Sequence, residues 1–301
     1  MHTWVSDYYK NLFGTKVYKL SFDAGCTCPT RDGTKGTRGC IFCSQKGSGE
    51  FAVKFEDFSD ARKEVTNSKI ILNLPEKFKG AQTFIAYFQN YTNTYGDLDN
   101  LNKKWHKALS YDGIKGIAIA TRPDCIGNDV IEELAKISEK HFVQLELGLQ
   151  TTNKKSATYI RRVFSNEDYF DAVERLHKQA PHIHIVTHII FGLPGETEQD
   201  MMNSVSSAVA AGTDGIKITC LYVLKDTDLA VEFANGKFQT LKMKEYFELL
   251  EHALQLIPES VIIHRLTGDP PKATLISPTW TTDKKRVLNE IKKLFPDNSS
   301  K

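Results

Sequence analysis

Gly116-Ile117-Ala118-Ile119-Ala120, then Asn128-Asp129-Val130-Ile131-Glu132-Glu133-Leu134-Ala135-Lys136-Ile137, then Val143-Gln144-Leu145-Glu146-Leu147-Gly148-Leu149: these three segments decide the fold. The first is a short apolar run. In the second, Val130, Ile131, Leu134 and Ile137 fall on one face of a helix that Asn128 is placed to cap. In the third, Val143, Leu145, Leu147 and Leu149 alternate with other residues, the period of a strand. A strand, a crossover helix and a second strand bring the chain back parallel to its start.

The same alternation extends both ways. Upstream, Val17 to Phe22 and Gln82 to Phe88 read as strands, and Asp97 to Leu109 as a helix. Downstream, Ser165-x-x-Asp168 opens a helix as a capping box, and Ile183 to Phe191 is a strand. Thr197-x-x-Asp200 opens a helix bearing Met201, Val205 and Ala208, and Gly215 to Tyr222 is the next strand. Six strand-then-helix units imply a parallel sheet, closed or left as an open partial barrel, with its chemistry at the C-terminal strand ends. Past Tyr222 the pattern changes to a helix over Leu241–Ile257, a strand over Val261–Leu266, a turn at Gly268–Pro271 and a helix over Thr282–Leu294. The reading is thus α/β: a partial (β/α)6 TIM-like barrel over residues 1–222, with an α+β extension over 223–301 packed on it and a frayed end from Pro296.

No apolar run approaches the ~20 residues that cross a bilayer; the longest candidate, Ile183–Leu193, contains His184, Thr187 and His188. The first residues lack a basic segment followed by an apolar one, so a cytoplasmic chain with reduced thiols is expected. A formal net charge of +2 neither demands nor forbids a polyanionic partner, and the scattered basic pairs read as solvated surface.

Four of the six cysteines crowd into positions 26–43, just after the first strand. Their loop contains Cys26-Thr27-Cys28-Pro29-Thr30-Arg31-Asp32-Gly33 and Gly39-Cys40-Ile41-Phe42-Cys43. With thiols reduced, the cluster reads as a metal site. Cys28, Cys40 and Cys43 suit an iron–sulfur cluster that leaves one iron open, with Phe42 as a shield. With Cys26 added, the four suit a structural zinc in a non-enzymatic binding module, although Cys26-x-Cys28 is tighter than the usual knuckle. Cys125 and Cys220 read as apolar-like residues, with Cys125 close to the active end.

The ordered motifs Cys28-Pro29-Thr30-Arg31-Asp32-Gly33, Gly39-Cys40-Ile41-Phe42-Cys43, Tyr87-Phe88-Gln89, Thr92-Asn93-Thr94-Tyr95, Thr121-Arg122-Pro123-Asp124, Gly148-Leu149-Gln150-Thr151 and Gly192-Leu193-Pro194-Gly195-Glu196-Thr197 resemble the radical S-adenosylmethionine superfamily. Within it, nearly the whole chain is similar to the YhcC-like bacterial family related to the catalytic subunit of Elongator. The resemblance implies a [4Fe–4S] cluster on Cys28, Cys40 and Cys43, with Cys26 outside the pattern. It also implies S-adenosylmethionine, split reductively to a 5′-deoxyadenosyl radical that abstracts hydrogen from a substrate.

By the same resemblance Tyr87, Phe88 and Gln89 meet the methionine amino group, and Gln150 and His188 lie near the ribose. Arg162 pairs with the carboxylate, and Gly192 lies close to the adenine. Read without it, Gln150 satisfies backbone at a strand end, Arg162 is a surface cation, His188 is a core histidine, and Gly192–Gly195 is a turn. The implied partners are an electron donor such as flavodoxin or ferredoxin and a tRNA carrying a wobble uridine, with no membrane. Tyr87, Phe88, Tyr91 and Tyr95 are candidates for stacking a base, or for the core. A small metabolite or a peptide is the alternative substrate.

Overall fold

The computed structural model describes residues 2–47, 49–56 and 83–295. Gln82, where the second expected strand begins, and the end from Pro296 lie outside the described residues. Eight parallel strands form one sheet: β1 (Tyr18–Asp23), β2 (Val53–Lys54), β3 (Phe84–Phe88), β4 (Ile114–Thr121), β5 (Phe142–Gln150), β6 (His184–Phe191), β7 (Gly215–Cys220) and, after a short β8 (Val223–Leu224), β9 (Ile262–Arg265). Their order is β2-β1-β3-β4-β5-β6-β7-β9, so the sheet keeps two edges and is an open partial barrel. The six strands read from the sequence are β1 and β3–β7. The strand expected in the extension is β9, and it joins β7 in the barrel sheet itself. Antiparallel to β8 runs β10 (Leu275–Ser277).

The sheet is accompanied by helices α1 (Val5–Phe13), α2 (Leu98–Leu109), α3 (Asn128–Ser138), α4 (Lys154–Tyr159), α5 (Asn166–Gln179), α6 (Glu198–Ala210), α7 (Asp228–Ala234), α8 (Met243–Leu256) and α9 (Lys284–Leu294), with short 3-10 turns at Pro123–Cys125 and Thr279–Thr282. Both expected capping boxes form: Ser165 with Asp168 and Thr197 with Asp200 exchange side-chain and backbone bonds. The cap of α3 is a correction. Gly127 is its N-cap, and Asn128 begins the helix, its Oδ1 accepting from Arg175 at 3.2 Å.

Alternation along β5 separates two environments. Val143, Leu145, Leu147 and Leu149 are fully buried in the main core, together with Val130, Ile131, Leu134 and Ile137 of α3. Gln144 and Glu146 lie on the opposite face of the strand, the inner face of the barrel, where Lys19, Tyr87 and Lys217 meet Glu146. The sequence offered no reading of α1, and it closes the N-terminal end of this lumen. Tyr9 Oη donates to Gln144 at 2.6 Å, and the Tyr8 ring stacks on His184 at 4.9 Å. His184 Nε2 lies 2.8 Å from His264 Nε2, tying β6 to β9.

β5 carries both the core and the lumen, so its packing sets the site. Leu147→Ala opens a cavity under a fully buried side chain and should lower the unfolding free energy by about 2–5 kcal/mol. A urea titration showing a lower midpoint at unchanged slope checks this.

Candidate active site

The cysteine loop leaves the C-terminal end of β1 and is held by contacts within the protein. Arg31 Nη2 donates to the carbonyls of Cys43 at 3.0 Å and Ser44 at 2.6 Å, joining the two halves of the loop. The backbone N–H of Arg31 returns to Cys28 O at 2.8 Å, and that of Gly39 to Thr30 O at 2.8 Å. Gly39 has φ 68°, and a Cβ there would lie 2.7 Å from Arg31 Nε, so the turn and the close approach both require glycine. Ile41 N–H bonds Ile160 O, and Leu229 N–H bonds Ile41 O, docking the loop on the segments that follow β5 and β8.

Cys28, Cys40 and Cys43 are partly exposed. Cys28 Sγ sits 3.0 Å from Thr30 Oγ1. Burial pushes the Cys40 thiol up to about 12, with the charges of Cys43 and Cys28 adding to the rise and Arg122 and Arg31 opposing it. The Cys40 thiol thus lies in the fields of both Cys28 and Cys43. Among the described residues no group of three His, Cys, Asp or Glu can hold a single ion. A four-iron cube takes each thiolate on a different iron and so does not ask three ligands to meet at one ion. Cys26 has other company: burial raises its thiol to about 11, and its charged neighbours are Lys104, Asp23 and Glu56. The fourth thiolate of the zinc reading is therefore turned toward the α2 side.

Around the mouth, the sequence-derived residues fall in distinct places. Tyr87 enters the lumen, where its hydroxyl donates to Glu146 at 2.6 Å. Phe88 is fully buried between Phe22 and Phe55, which leaves only its backbone for a ligand. Gln89 N–H bonds Phe22 O at 3.1 Å across the β1–β3 ends. Gln150 ends β5 with φ 61°, a strained conformation for a residue with a side chain, and its amide folds back onto the carbonyls of Gly148 and Leu149. His188 Nε2 lies 2.9 Å from Thr219 Oγ1, and burial beside Lys217 lowers its imidazole to about 4, so it is neutral. Gly192 turns with φ 84°, and a Cβ there would lie 2.8 Å from Leu241 Cδ1.

Arg162 differs from both expectations drawn from the sequence. It is 2% exposed, so it is no surface cation. Its fork is also already engaged: Nε donates to Phe164 O at 3.1 Å, Nη1 to Leu149 O at 3.0 Å and Thr151 O at 2.5 Å, and Nη2 to Asn166 Oδ1 at 2.7 Å. That leaves a single Nη2–H, too little for the two-pronged carboxylate contact implied by resemblance. Burial, with the nearby Arg122 charge, lowers its guanidinium to about 10. Arg161 is no substitute, since it pairs with Asp228. The aromatics that follow β3 brace the loop: Tyr91 lies under Arg31 at 5.5 Å and bonds Gln45 O, and Tyr95 Oη meets Thr34 Oγ1 at 2.8 Å.

Two groups escaped the sequence reading. Arg122 forms a two-pronged pair with Asp124 at 2.9 Å, stacks over Phe164 at 5.0 Å, and is close enough to Cys28 and Cys40 for their charges to raise its affinity for its proton. Lys35, from the cysteine loop, reaches the same Asp124 at 2.6 Å. The motif Thr121-Arg122-Pro123-Asp124 was the available signal. The other group is the lumen carboxylate Glu146 with its lysines, whose signal was three charged residues on otherwise apolar strands.

Radical SAM superfamily sequences match residues 33–208 of this chain, and the Radical_SAM C-terminal domain matches residues 213–295. The chain belongs to the radical SAM superfamily; it is a radical SAM enzyme, whose cofactors are a [4Fe–4S] cluster and S-adenosylmethionine. It is 39% identical to uncharacterized protein YtqA of Bacillus subtilis over 96% of this chain and 87% of that one. It is 29% identical to protein YhcC of Escherichia coli over 93% and 87%. A shorter match, 30% identical over 46% of this chain and 31% of the relative, is to a tRNA-2-methylthio-N(6)-dimethylallyladenosine synthase of Clostridium botulinum. The structure of archaeal Elp3 from Methanocaldococcus infernus superposes with TM-score 0.63 at 15% identity, covering 92% of this chain and 63% of that one. Among the described residues no helix is long and apolar enough to cross a membrane.

Two predictions test the supports of the site. Arg162→Met strips donors from three buried carbonyls and should lower the unfolding free energy by about 2–4 kcal/mol; a denaturant titration matching the parent would show that the fork is not a brace. Glu196, in the turn after Gly192, accepts from Thr151 Oγ1 through one oxygen, while the other is buried without a partner among the described residues. Burial pushes its carboxyl up to about 7 from 4.5. The folded chain holds this proton more tightly than the unfolded one, so the associated stability is complete below pH ~4.5 and is lost as pH rises through ~7. The fall in melting temperature from pH 5 to pH 8 should be smaller in Glu196→Gln than in the parent.

Proposed function

We propose that Cys28, Cys40 and Cys43 hold the [4Fe–4S] cluster and that the chain modifies a tRNA nucleotide, a wobble uridine, by hydrogen abstraction. The observation that carries the first part is the loop itself: Arg31 joins its two halves at the C-terminal end of β1, and the Cys40 thiol lies in the fields of Cys28 and Cys43. When bound, the cluster supplies the electron and the open iron at which S-adenosylmethionine is cleaved.

The chain's own groups do the holding and shielding. In this reading the strand ends at Tyr87-Phe88-Gln89 offer backbone to the methionine moiety, Gln150 and the neutral His188 face the ribose, and Gly192 lets backbone approach the adenine. Arg162 acts through the carbonyls it braces, fixing the end of β5 and the turn after it. Arg122, held by Asp124, places a cation beside Cys40, where it opposes the rise that burial causes. In this reading a flavodoxin or ferredoxin in the cytoplasm would deliver the electron at the mouth, where the three cysteines are partly exposed.

Support for tRNA comes from the partial likeness to a tRNA-modifying synthase and from the Elp3-like fold. Anaerobic reconstitution should give about four irons and four sulfides per chain with broad absorption near ~400 nm. Dithionite and S-adenosylmethionine should then release 5′-deoxyadenosine. Cys43→Ala should lose the absorption and the product together, while Cys26→Ala should keep both. Comparing tRNA nucleosides from cells with and without the gene should reveal a missing modified uridine. An unchanged profile would replace tRNA by a small metabolite or a peptide.

A further inference from the structure

Inside the barrel, below the mouth, one carboxylate is shared by four donors. Glu146 Oε1 accepts from Lys19 Nζ at 2.8 Å and Gln144 Nε2 at 2.7 Å; Oε2 accepts from Tyr87 Oη at 2.6 Å and from Lys217 Nζ. Both ammonium groups also lie over the Tyr87 ring, Lys19 Nζ at 5.0 Å and Lys217 Nζ at 5.1 Å from its centre. Two lysines face one glutamate, so the enclosed group holds more basic side chains than acidic ones, and the adjoining His188 is neutral.

Arg265 adds a further cation. It stands in register with Lys217 across β7 and β9, is exposed, and makes no ion pair with any of the described residues. Its charge reaches the lumen, contributing to the low proton affinity of both His188 and Lys217. Buried charge of one sign is costly unless matched, and the Lys217 ammonium records that cost. Burial, with Lys19 and Arg265 adding repulsion, outweighs Glu146 and lowers it to about 7. The Lys217 side chain remains 12% exposed and that of Lys19 21%, so the site is reachable from solvent.

We propose that the lumen receives an oxyanion of the substrate, held between Lys217 and the guanidinium fork of Arg265. The proposal rests on the reading of this lumen as the chamber of a radical enzyme. It adds that the group entering it is anionic, a phosphodiester or a carboxylate. Lys217 supplies N–H donors beyond the one that Glu146 takes, and Arg265 supplies the planar pair that matches an oxyanion.

Acylation of Lys217 by an amine-directed reagent, followed by peptide mass spectrometry on the reconstituted protein, tests this. Acetate or dimethyl phosphate should slow modification of Lys217 at least fivefold relative to chloride at equal ionic strength. Arg265→Gln should remove the protection and Arg265→Lys should retain part of it. Stronger protection by dimethyl phosphate identifies a phosphodiester, and by acetate a carboxylate. Protection by neither anion, equal protection in Arg265→Gln, or protection that S-adenosylmethionine alone supplies would overturn the proposal. Failure of the underlying reading shows separately, as protein without ~400 nm absorption or 5′-deoxyadenosine release.

Discussion

The inner face of a curled parallel sheet has to be filled, and here it is filled by charge. Most strands of such sheets carry apolar groups on both faces. β5 instead turns Gln144 and Glu146 inward, and Glu146 draws Lys19 from β1, Tyr87 from β3 and Lys217 from β7. Burial alone would raise the glutamate's proton affinity, but the two lysines outweigh it and hold the carboxyl well below its usual range. One carboxylate thus ties β5 to β1, β3 and β7 across the lumen.

Much of the frame was legible in the sequence because each element carried its own local signal. The two capping boxes, the 3.6-residue period of α3 and the alternation of β5 are properties of short segments, and the structure realises them within a few residues. α1 was missed because its helix is defined by what it covers: Tyr8 and Tyr9 are specified by His184 and Gln144, more than a hundred residues away. β9 was seen as a strand, but its place at the edge of the barrel depends on β7, which no local pattern reports.

At the site, the residue types were readable and their partners were not. A motif can mark Arg162 as special, but whether its fork faces a ligand or the carbonyls of Leu149 and Thr151 depends on the turn that follows β5. The same holds for Cys26, two residues from Cys28 yet in the field of Lys104 and Glu56. Spacing groups them; the direction of the backbone after Asp23 separates them. Glu146, Lys19 and Lys217 stood in the sequence as three unremarked charges, and only closure of the sheet brings them onto one point.

The loop that carries the cysteines owes its shape to polypeptide bonds. Arg31 clasps the carbonyls of Cys43 and Ser44, Gly39 closes on Thr30, and Ile41 is pinned from both sides by Ile160 and Leu229. The docking ties the loop to the rest of the barrel mouth. A change that moves the segment after β5 at Ile160, or α7 at Leu229, moves Ile41 and with it the two cysteines on either side, so the spacing of Cys40 and Cys43 is inherited from residues more than a hundred positions away.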